Sequence, residues 1–265
     1  MTTHFLERPH GTLAYRQTGP TDGRPVLMAH GMGDGKESFR FLAATLAEAG
    51  CRVVTTDLRG YGESSLGWPE YTVAATAADL IALIEHLGGP AVVAGHSFAA
   101  GSAVMAAGDR PDLIDGLLLL GPAVRHTKPG FAMRQLSAVV TRVPALWTMF
   151  YKWLHPGARP ADFDAYLAHL KSDLKRPGRM VPIHRVMASF TEHPAPDLSA
   201  ARAPALIVMG DKDADFDDPT AEAHRIAAGL AGPARAVVLP GAGHYPHVDA
   251  PEATGAAVLE FLQQN

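Results

Sequence analysis

Residues 90–108 read PAVVAGHSFAAGSAVMAAG, and this stretch decides the fold. Small and β-branched residues run up to Gly95, and an alanine-rich stretch follows Ser97 without a polar linker. The pattern predicts a buried strand that turns directly into a helix. Such a corner needs small residues two positions before and after its centre, and Gly95 and Ala99 meet that need around Ser97. The alternative is that Ser97 is an ordinary N-cap of the helix.

Five further apolar runs have the length and character of the run at 90–97. They cover residues 25–31, 51–57, 114–121, 204–211 and 234–241. Stretches of helical period alternate with them, and these cover residues 38–49, 73–87, 98–108, 220–230 and 251–262. The alternation predicts a doubly wound α/β fold, in which helices cover both faces of a mostly parallel sheet. Residues 12–18 alternate polar with apolar side chains and predict an antiparallel edge strand.

The alternation stops after residue 122 for about eighty residues, which is too long for an ordinary loop. We therefore predict a helical insertion over 124–200, with a core made from 1–123 and 201–265. An apolar stripe of helical spacing runs through the first half of the insertion. It consists of Leu136, Val139, Val140, Val143, Trp147, Phe150 and Trp153 or Leu154. Pro144 should kink or split that helix. Two more helices are predicted over 162–174 and 179–190.

The composition is that of a compact globular protein, with 265 residues of which 47% are hydrophobic and 19% charged. The net charge of −4 argues against general nucleic-acid binding, because that function leaves a basic excess. The single cysteine, Cys51, cannot form an intramolecular disulfide. The first residues lack the apolar core of a signal peptide, and no apolar stretch reaches about 18 residues. We expect a cytoplasmic protein without membrane or nucleic-acid partners. The sequence does not indicate its oligomeric state.

Two polar loops follow the last two predicted strands. The first reads GDKDAD at 210–215, and the second reads GAGH at 241–244. The carboxyl ends of parallel strands meet at one edge of the sheet, where ligands bind in open α/β proteins. Ser97 leaves another strand at the same edge. We therefore expect a serine, a carboxylate and an imidazole to lie close together.

Further motifs follow the earlier strands, namely HGMG at 30–33 and DLRGYGES at 57–64. With the serine corner, Asp213 and His244, they make the sequence resemble the α/β-hydrolase superfamily over nearly its whole length, as a capped, esterase-like member with a serine nucleophile. The departure from the usual pattern is Ala99, where glycine is more common. The resemblance implies the α/β-hydrolase fold, with a helical cap or lid inserted after the sixth strand and covering the nucleophile.

The resemblance also implies a role for each of these residues. Ser97 would be the nucleophile, His244 the general base, and Asp213 the carboxylate that orients the imidazole. Asp215 is the alternative acid, because several carboxylates crowd the same turn. The backbone N–H groups of Met32 and Phe98 would form the oxyanion hole.

The substrate pocket should be walled mainly by apolar side chains of the insertion. The candidates are His30, Met133, Trp147, Phe150 and Tyr151, although an apolar stripe more often packs against the main domain. We expect no cofactor and no metal. The 13 histidines include no H-E-x-x-H motif or paired Cys/His spacing, and the glycines at 31–35 lack a phosphate-binding pattern.

The insertion is unusually basic. Residues 124–190 carry 11 Lys or Arg against 3 Asp or Glu, a net charge of +8, so the rest of the chain carries −12 of the total of −4. One interpretation is that the basic cap attracts an anionic substrate. The other is that these are solvated helix faces.

The leading functional prediction is a serine hydrolase that cleaves a carboxylic ester, thioester or lactone through an acyl-enzyme. Its substrate would be a small molecule of apolar or anionic character. One alternative is a hydrolase of C–C bonds in a diketone-like acid. Another is a non-catalytic receptor that retains the three residues and senses a small molecule.

Overall fold

The computed structural model describes residues 2–125, 130–157 and 159–265. The strands within these ranges form one sheet. They are β1 (His4–Arg8), β2 (Gly11–Thr18), β3 (Pro25–Ala29), β4 (Arg52–Thr56), β5 (Ala91–His96), β6 (Ile114–Leu120), β7 (Ala205–Gly210) and β8 (Ala234–Leu239). Their order across the sheet is β1-β2-β4-β3-β5-β6-β7-β8. Every neighbouring pair from β4 to β8 is parallel, which confirms the predicted fold class.

The prediction of an edge strand over 12–18 is wrong in one respect. This segment forms β2 and pairs antiparallel with β4, but it is the second strand of the sheet. The edge is β1, which pairs antiparallel with β2 and places Leu6 opposite Leu13. Most side chains of β1 are exposed, so its sequence HFLER contains no apolar run that would reveal a strand.

Helices cover both faces of the sheet and fill the insertion. They are α1 (Arg40–Glu48), α2 (Val73–Leu87), α3 (Phe98–Asp109), α4 (Phe131–Val140), α5 (Pro144–Trp153), α6 (Phe163–Leu174), α7 (Met180–Glu192), α8 (Pro219–Gly229), α9 (Pro246–Asp249) and α10 (Pro251–Gln264). Pro144 occupies the first turn of α5, where no intrahelical donor is required, so the predicted split occurs there. None of the helices in the described ranges is long and apolar enough to cross a bilayer.

The core lies on both faces of the sheet because successive strand residues point in opposite directions. On β6, Leu117 and Leu119 pack into one apolar cluster, while Leu118 and Leu120 pack into the other. All four side chains are fully buried. This explains why the strand reads as a continuous hydrophobic run rather than an alternating one.

The apolar stripe of the insertion divides into a buried part and an exposed part. Trp147 and Leu154 are buried against the core, whereas Leu136, Val139 and Trp153 are each more than half exposed. The stripe as a whole therefore does not pack on the main domain. Its inner part lies at the carboxyl edge of the sheet, beside the loops that follow β3, β5, β7 and β8.

Candidate active site

Ser97 stands at the corner between β5 and α3 in a strained backbone conformation. Its φ is 55° and its ψ is −123°, and within the described ranges it is the only residue other than glycine with positive φ. The side chain does not cap the helix, so the N-cap interpretation is wrong. Such strain costs on the order of 1–3 kcal/mol and is typically kept at functional positions. The corner turns the Ser97 side chain into the cavity described below.

The close contacts around the corner explain its small residues. A Cβ atom at Gly95 would lie 2.5 Å from the carbonyl oxygen of Ala99 and 2.6 Å from the Cα of Ala100. A Cβ atom at Gly31 would lie 2.5 Å from Nδ1 of His96. The first turn of α3 and the loop after β3 therefore approach the corner through two positions that lack side chains.

His244 lies on the loop after β8 and is held from several directions. Its Nδ1 donates to the buried carboxylate of Asp213, 2.9 Å from Oδ2 and 3.1 Å from Oδ1. Its backbone N–H donates to the carbonyl of Leu154 at 3.1 Å, and its carbonyl accepts from Nε2 of His96 at 2.9 Å. On the other side of the ring, Nε2 lies 3.6 Å from Oδ2 of Asp215. The imidazole therefore has a carboxylate on each edge.

These carboxylates decide the charge of the ring. Burial alone lowers the pKa of His244, but the negative charges of Asp213 and Asp215 outweigh burial and raise that pKa to about 9. His96 has no such partner, so burial holds its pKa well below the usual value and the ring is neutral. From the sequence alone, the position of His96 next to Ser97 fits either a packing role or a place in the site. The structure gives it a contact with the backbone of His244.

A cavity of about 360 Å³ opens beside Ser97 and His244. It is lined by Met32, Ser97, Ala123, Arg125, Trp147, Phe150, Leu154, Met187, Phe190, Asp215, Phe216, Asp217, His244 and Tyr245. Of the residues proposed from the sequence as pocket walls, Trp147 and Phe150 line this cavity, while His30, Met133 and Tyr151 are outside its lining. Ser97 and His244 share the cavity without a hydrogen bond between their side chains. A volume of this size suits a small organic ligand.

Some wall residues escaped sequence reasoning. Met187 and Phe190 come from α7, where apolar spacing gave no sign of which side chains face the cavity. Arg125 lies on the wall as well, but Glu222 holds it in a two-point ion pair with distances of 2.8 and 2.5 Å. Glu222 also pairs with Arg225, so Arg125 shares this carboxylate with a second cation.

Two backbone N–H groups near Ser97 have no protein acceptor within the described ranges. The amide of Met32 lies in the loop after β3, and that of Phe98 begins α3. His30 shapes the first loop, since its Nδ1 donates to the carbonyl of Gly31 at 2.7 Å and its Nε2 accepts from the N–H of Leu58 at 3.0 Å. Burial lowers the pKa of His30 to about 4, which keeps Nε2 an acceptor.

The insertion contacts the same loop. The indole N–H of Trp147 donates to the carbonyl of Gly33 at 3.3 Å. The buried carboxylate of Asp34 accepts from the hydroxyl groups of Tyr151, at 3.3 Å, and Tyr166. Burial raises the pKa of Asp34 to about 6, although these hydrogen bonds lower it in part. The position of the Met32 amide therefore depends on α5 and α6.

The site contains one group of residues that resembles a metal centre in composition. Asp213, Asp215 and His244 each offer a ligand atom, and these atoms lie within 4.8 Å of one another. The two carboxylates face opposite nitrogens of a single ring, however, and imidazole nitrogens point away from each other. A single ion could bind only one of the two ring nitrogens and so could not lie between the ring and both carboxylates. The geometry therefore fits an ion-paired histidine rather than a set of metal ligands.

Comparison with known proteins gives the following likenesses. A family model described as "Alpha/beta hydrolase family" matches residues 26–257. Lipase LipV of Mycobacterium tuberculosis is 37% identical over 113 residues, which are 42% of this chain and 42% of that protein. The sn-1-specific diacylglycerol lipase ABHD11 of Mus musculus is 25% identical over 268 residues, covering 89% of this chain and 80% of its own. A thermophilic esterase from Thermogutta terrifontis, solved with malate bound, superposes with a TM-score of 0.82 at 25% identity over 100% of this chain and 99% of its own.

Proposed function

The chain belongs to the α/β-hydrolase family, and we propose that it cleaves carboxylic esters, or the related thioesters and lactones, through an acyl-enzyme on Ser97. The strained backbone at Ser97 carries this proposal. It supports a role for the hydroxyl in a cavity that also holds the ring of His244. A serine kept only for packing would not need a positive φ, which a glycine would adopt at lower cost.

The chemistry follows from the atoms around the cavity. Ser97 Oγ attacks the carbonyl carbon of the substrate while its proton passes to Nε2 of neutral His244. Asp213 holds the Nδ1 proton and stabilises the imidazolium that results. The carbonyl oxygen becomes an oxyanion, and the free amides of Met32 and Phe98 are suited to bind it. His244 then gives its proton to the leaving alcohol. In the second half of the reaction, water attacks the acyl carbon while its proton passes to His244, and His244 returns that proton to Ser97 Oγ as the carboxylic acid leaves.

The substrate class is drawn from the cavity and from the relatives. The wall is mainly apolar, and its volume suits an acyl group of modest length. Two relatives are named as lipases, and the similar solved structure is that of an esterase. We therefore propose a small, largely apolar ester as substrate.

We also propose that residues 124–200 form a cap on a core made from 1–123 and 201–265. The contacts of Trp147 with Gly33 and of Leu154 with His244 support this division, because they join the insertion to the two loops that carry the chemistry. The cap would cover the cavity, and its contacts would also hold in place the loops after β3 and β8 at the base of the cavity.

The proposed nucleophile can be tested without knowing the substrate. A fluorophosphonate probe should label Ser97, with Oγ displacing fluoride from phosphorus, and Ser97→Ala should abolish labelling. The same variant should lower kcat on p-nitrophenyl esters by about four to six orders of magnitude, with the melting temperature little changed, because alanine keeps the Cβ and therefore the same backbone strain.

Ser102→Ala is the matched control, since it removes a buried hydroxyl from the neighbouring helix α3 and should leave labelling unchanged. Labelling that persists in Ser97→Ala would contradict the proposal. If an ester analogue binds tightly without turnover, and binds equally to Ser97→Ala, the receptor alternative gains instead.

A further inference from the structure

Asp215 lies on the substrate side of His244. Its Oδ2 is 3.6 Å from Nε2, the nitrogen that must receive the serine proton if our proposed function is right. The side chain is 34% exposed and lines the cavity that contains Ser97. Asp213, in contrast, is fully buried on the Nδ1 side. The two carboxylates are therefore not equivalent, because only Asp215 stands where it can compete with the serine for the ring.

One turn after β7 presents both carboxylates to the ring. The backbone N–H of Asp215 donates to Oδ1 of Asp213 at 3.1 Å, and the N–H of Asp213 donates to the carbonyl of Gly210 at 3.2 Å. These bonds fix the backbone at both positions. Within the described ranges, no hydrogen-bond donor holds the carboxylate of Asp215 itself, and its polar contact is the one to His244.

Among the described residues that line the cavity beside His244, Arg125 supplies the one Lys or Arg charge, and it is paired with Glu222. Asp213 and Asp215 face His244 from the turn after β7, and Asp249 adds a third negative charge from α9. Burial lowers the pKa of His96, His155 and His247, so these nearby imidazoles from β5, the end of the insertion and α9 are neutral. Burial also raises the pKa of the Tyr245 phenol, which stays neutral as well. A protonated His244 is thus enclosed by carboxylates.

We propose that Asp215 is a positioning residue that holds the protonated imidazole of His244 on its Nε2 side, away from Ser97, until the proton is lost to solvent. The proposal rests on the function proposed above. In this state Nε2 carries a proton and faces Asp215, so it cannot accept the proton of Ser97. The same carboxylate stabilises the imidazolium that forms during attack, so it makes His244 a stronger base once the ring is neutral.

These two effects have opposite signs at different pH. Asp215 lowers the fraction of neutral His244 near neutral pH, and it raises the reactivity of the neutral form. The acidic limb of kcat/KM should consequently lie well above the ordinary histidine value, in keeping with the pKa of about 9 that the carboxylates give His244. Removing the charge of Asp215 should shift that limb to lower pH by about one unit or more, as expected for one opposite charge at this distance.

The test compares Asp215→Asn with Asp217→Asn. Both replace a carboxylate on the same cavity wall by an amide of the same shape, but only Asp215 contacts His244. We would measure kcat/KM for p-nitrophenyl acetate against pH at constant ionic strength, subtracting spontaneous hydrolysis. Asp215→Asn should move the midpoint down by about one unit and lower the plateau severalfold. Asp217→Asn should leave the midpoint in place.

A second readout does not depend on turnover. Histidine labelled with ¹³C at Cε1 allows each ring to be titrated by NMR, and the signal absent from His244→Gln identifies His244. Its midpoint should fall in Asp215→Asn and not in Asp217→Asn. An unchanged NMR midpoint in Asp215→Asn would overturn the inference even in an active enzyme. A downward shift in a protein without esterase activity would support the contact and count against the proposed function alone.

Discussion

Gly95 and Ser97 form one corner, and each imposes a different demand on the backbone. Gly95 must lack a side chain because the first turn of α3 lies against it, with Ala100 Cα only 2.6 Å from where a Cβ would stand. Ser97 must hold a positive φ that favours glycine, yet it keeps a side chain there. The corner is therefore costly to fold, and its sequence tolerates few substitutions.

Two glycine substitutions near this corner should have opposite effects. Gly95→Ala places a methyl group against the backbone of α3, so we expect a loss of about 1–3 kcal/mol in the free energy of unfolding together with a reduction of the proposed esterase activity. Gly101→Ala lies within α3, where the added Cβ meets Pro196 Cγ at 3.4 Å, an ordinary contact. It should stabilise the protein by up to about 1 kcal/mol, since alanine favours the helix.

Chemical denaturation of both variants measures this difference. Equal stability of the two alanine variants would show that α3 can move away from β5 without loss. That result would contradict the tight corner inferred from the backbone distances.

At this scale, sequence reasoning predicted which residues lie close together from the strand ends that they follow. Ser97, Asp213 and His244 follow strand ends, so parallel pairing was enough to predict that they meet at one edge. The position of Asp215 on the far nitrogen of the ring depends on the exact path of one turn, which composition does not encode. The support that His96 gives to the carbonyl of His244 depends likewise on a contact across 148 residues.

Among the elements, the loop after β3 depends most on its neighbours. Asp34 in this loop is buried and accepts from Tyr151 on α5 and Tyr166 on α6. Arg40 at the start of α1 forms an ion pair with Asp162 beside the same helix, at 2.5 and 2.8 Å. The insertion is thus joined to the sheet by polar contacts as well as by apolar packing.

The buried carboxylate of Asp34 should make stability depend on pH. Its pKa is raised to about 6 from an ordinary value of 3.8, chiefly by burial. A carboxyl group with a raised pKa contributes stability that is present below its unfolded value and is lost as pH rises through about 6. Wild type should lose on the order of 3 kcal/mol relative to Asp34→Asn between about pH 4 and pH 7, because a tenfold change in proton affinity corresponds to about 1.4 kcal/mol.

Urea denaturation across this pH range measures the difference. Asp115→Asn is the control, because it removes an exposed carboxylate from β6 and so tests for an effect of net charge alone. If wild type and Asp34→Asn changed in parallel with pH, Asp34 would have to be ionised without cost in its buried position.

Sequence reasoning was most accurate for elements with a strong period or a clear terminus. The predicted helix over 73–87 has the same bounds as α2, whose N-cap Thr72 accepts from the N–H of Ala75. The edge strand β1 was missed because its side chains are exposed and contribute little to the core. The exposed face of α4 could not be predicted either, since an apolar stripe does not tell which surface it meets.

For the whole molecule, charge is divided between the insertion and the rest of the chain. Residues 124–190 carry a net charge of +8, and the rest of the chain carries −12. Some of the cations in 124–190 form ion pairs with carboxylates. Arg125 pairs with Glu222, and Arg176 pairs with Asp173. The cavity itself carries Asp215 and Asp217. Attraction of an anionic substrate by the insertion therefore remains a prediction about long-range approach, separate from contacts at the reacting atoms.

The dependence of the rate on salt concentration distinguishes long-range attraction of an anionic substrate from short contacts at the reacting atoms. We expect kcat/KM for the p-nitrophenyl monoester of succinic acid, divided by that for p-nitrophenyl butyrate, to fall between about 0.01 and 0.1 M ionic strength. Over this range the Debye length shortens from about 30 to about 10 Å, which screens steering but affects short contacts little. The two acyl chains have the same length, so the neutral ester is a direct control. A ratio that stays constant would rule out steering by the insertion.

The insertion meets both loops that carry the proposed chemistry, through a hydrogen bond from Trp147 to the Gly33 carbonyl and one from the His244 amide to the Leu154 carbonyl. A chimera that receives only this segment from a distant homologue would consequently have a new insertion over the cavity, without the two matched hydrogen bonds to the loops after β3 and β8. Exchange between homologues should succeed when the insertion is transferred together with the loops after β3 and β8. We expect them to be inherited as one module, although Gly33 and Trp147 are 114 residues apart along the chain and Leu154 and His244 are also distant in sequence.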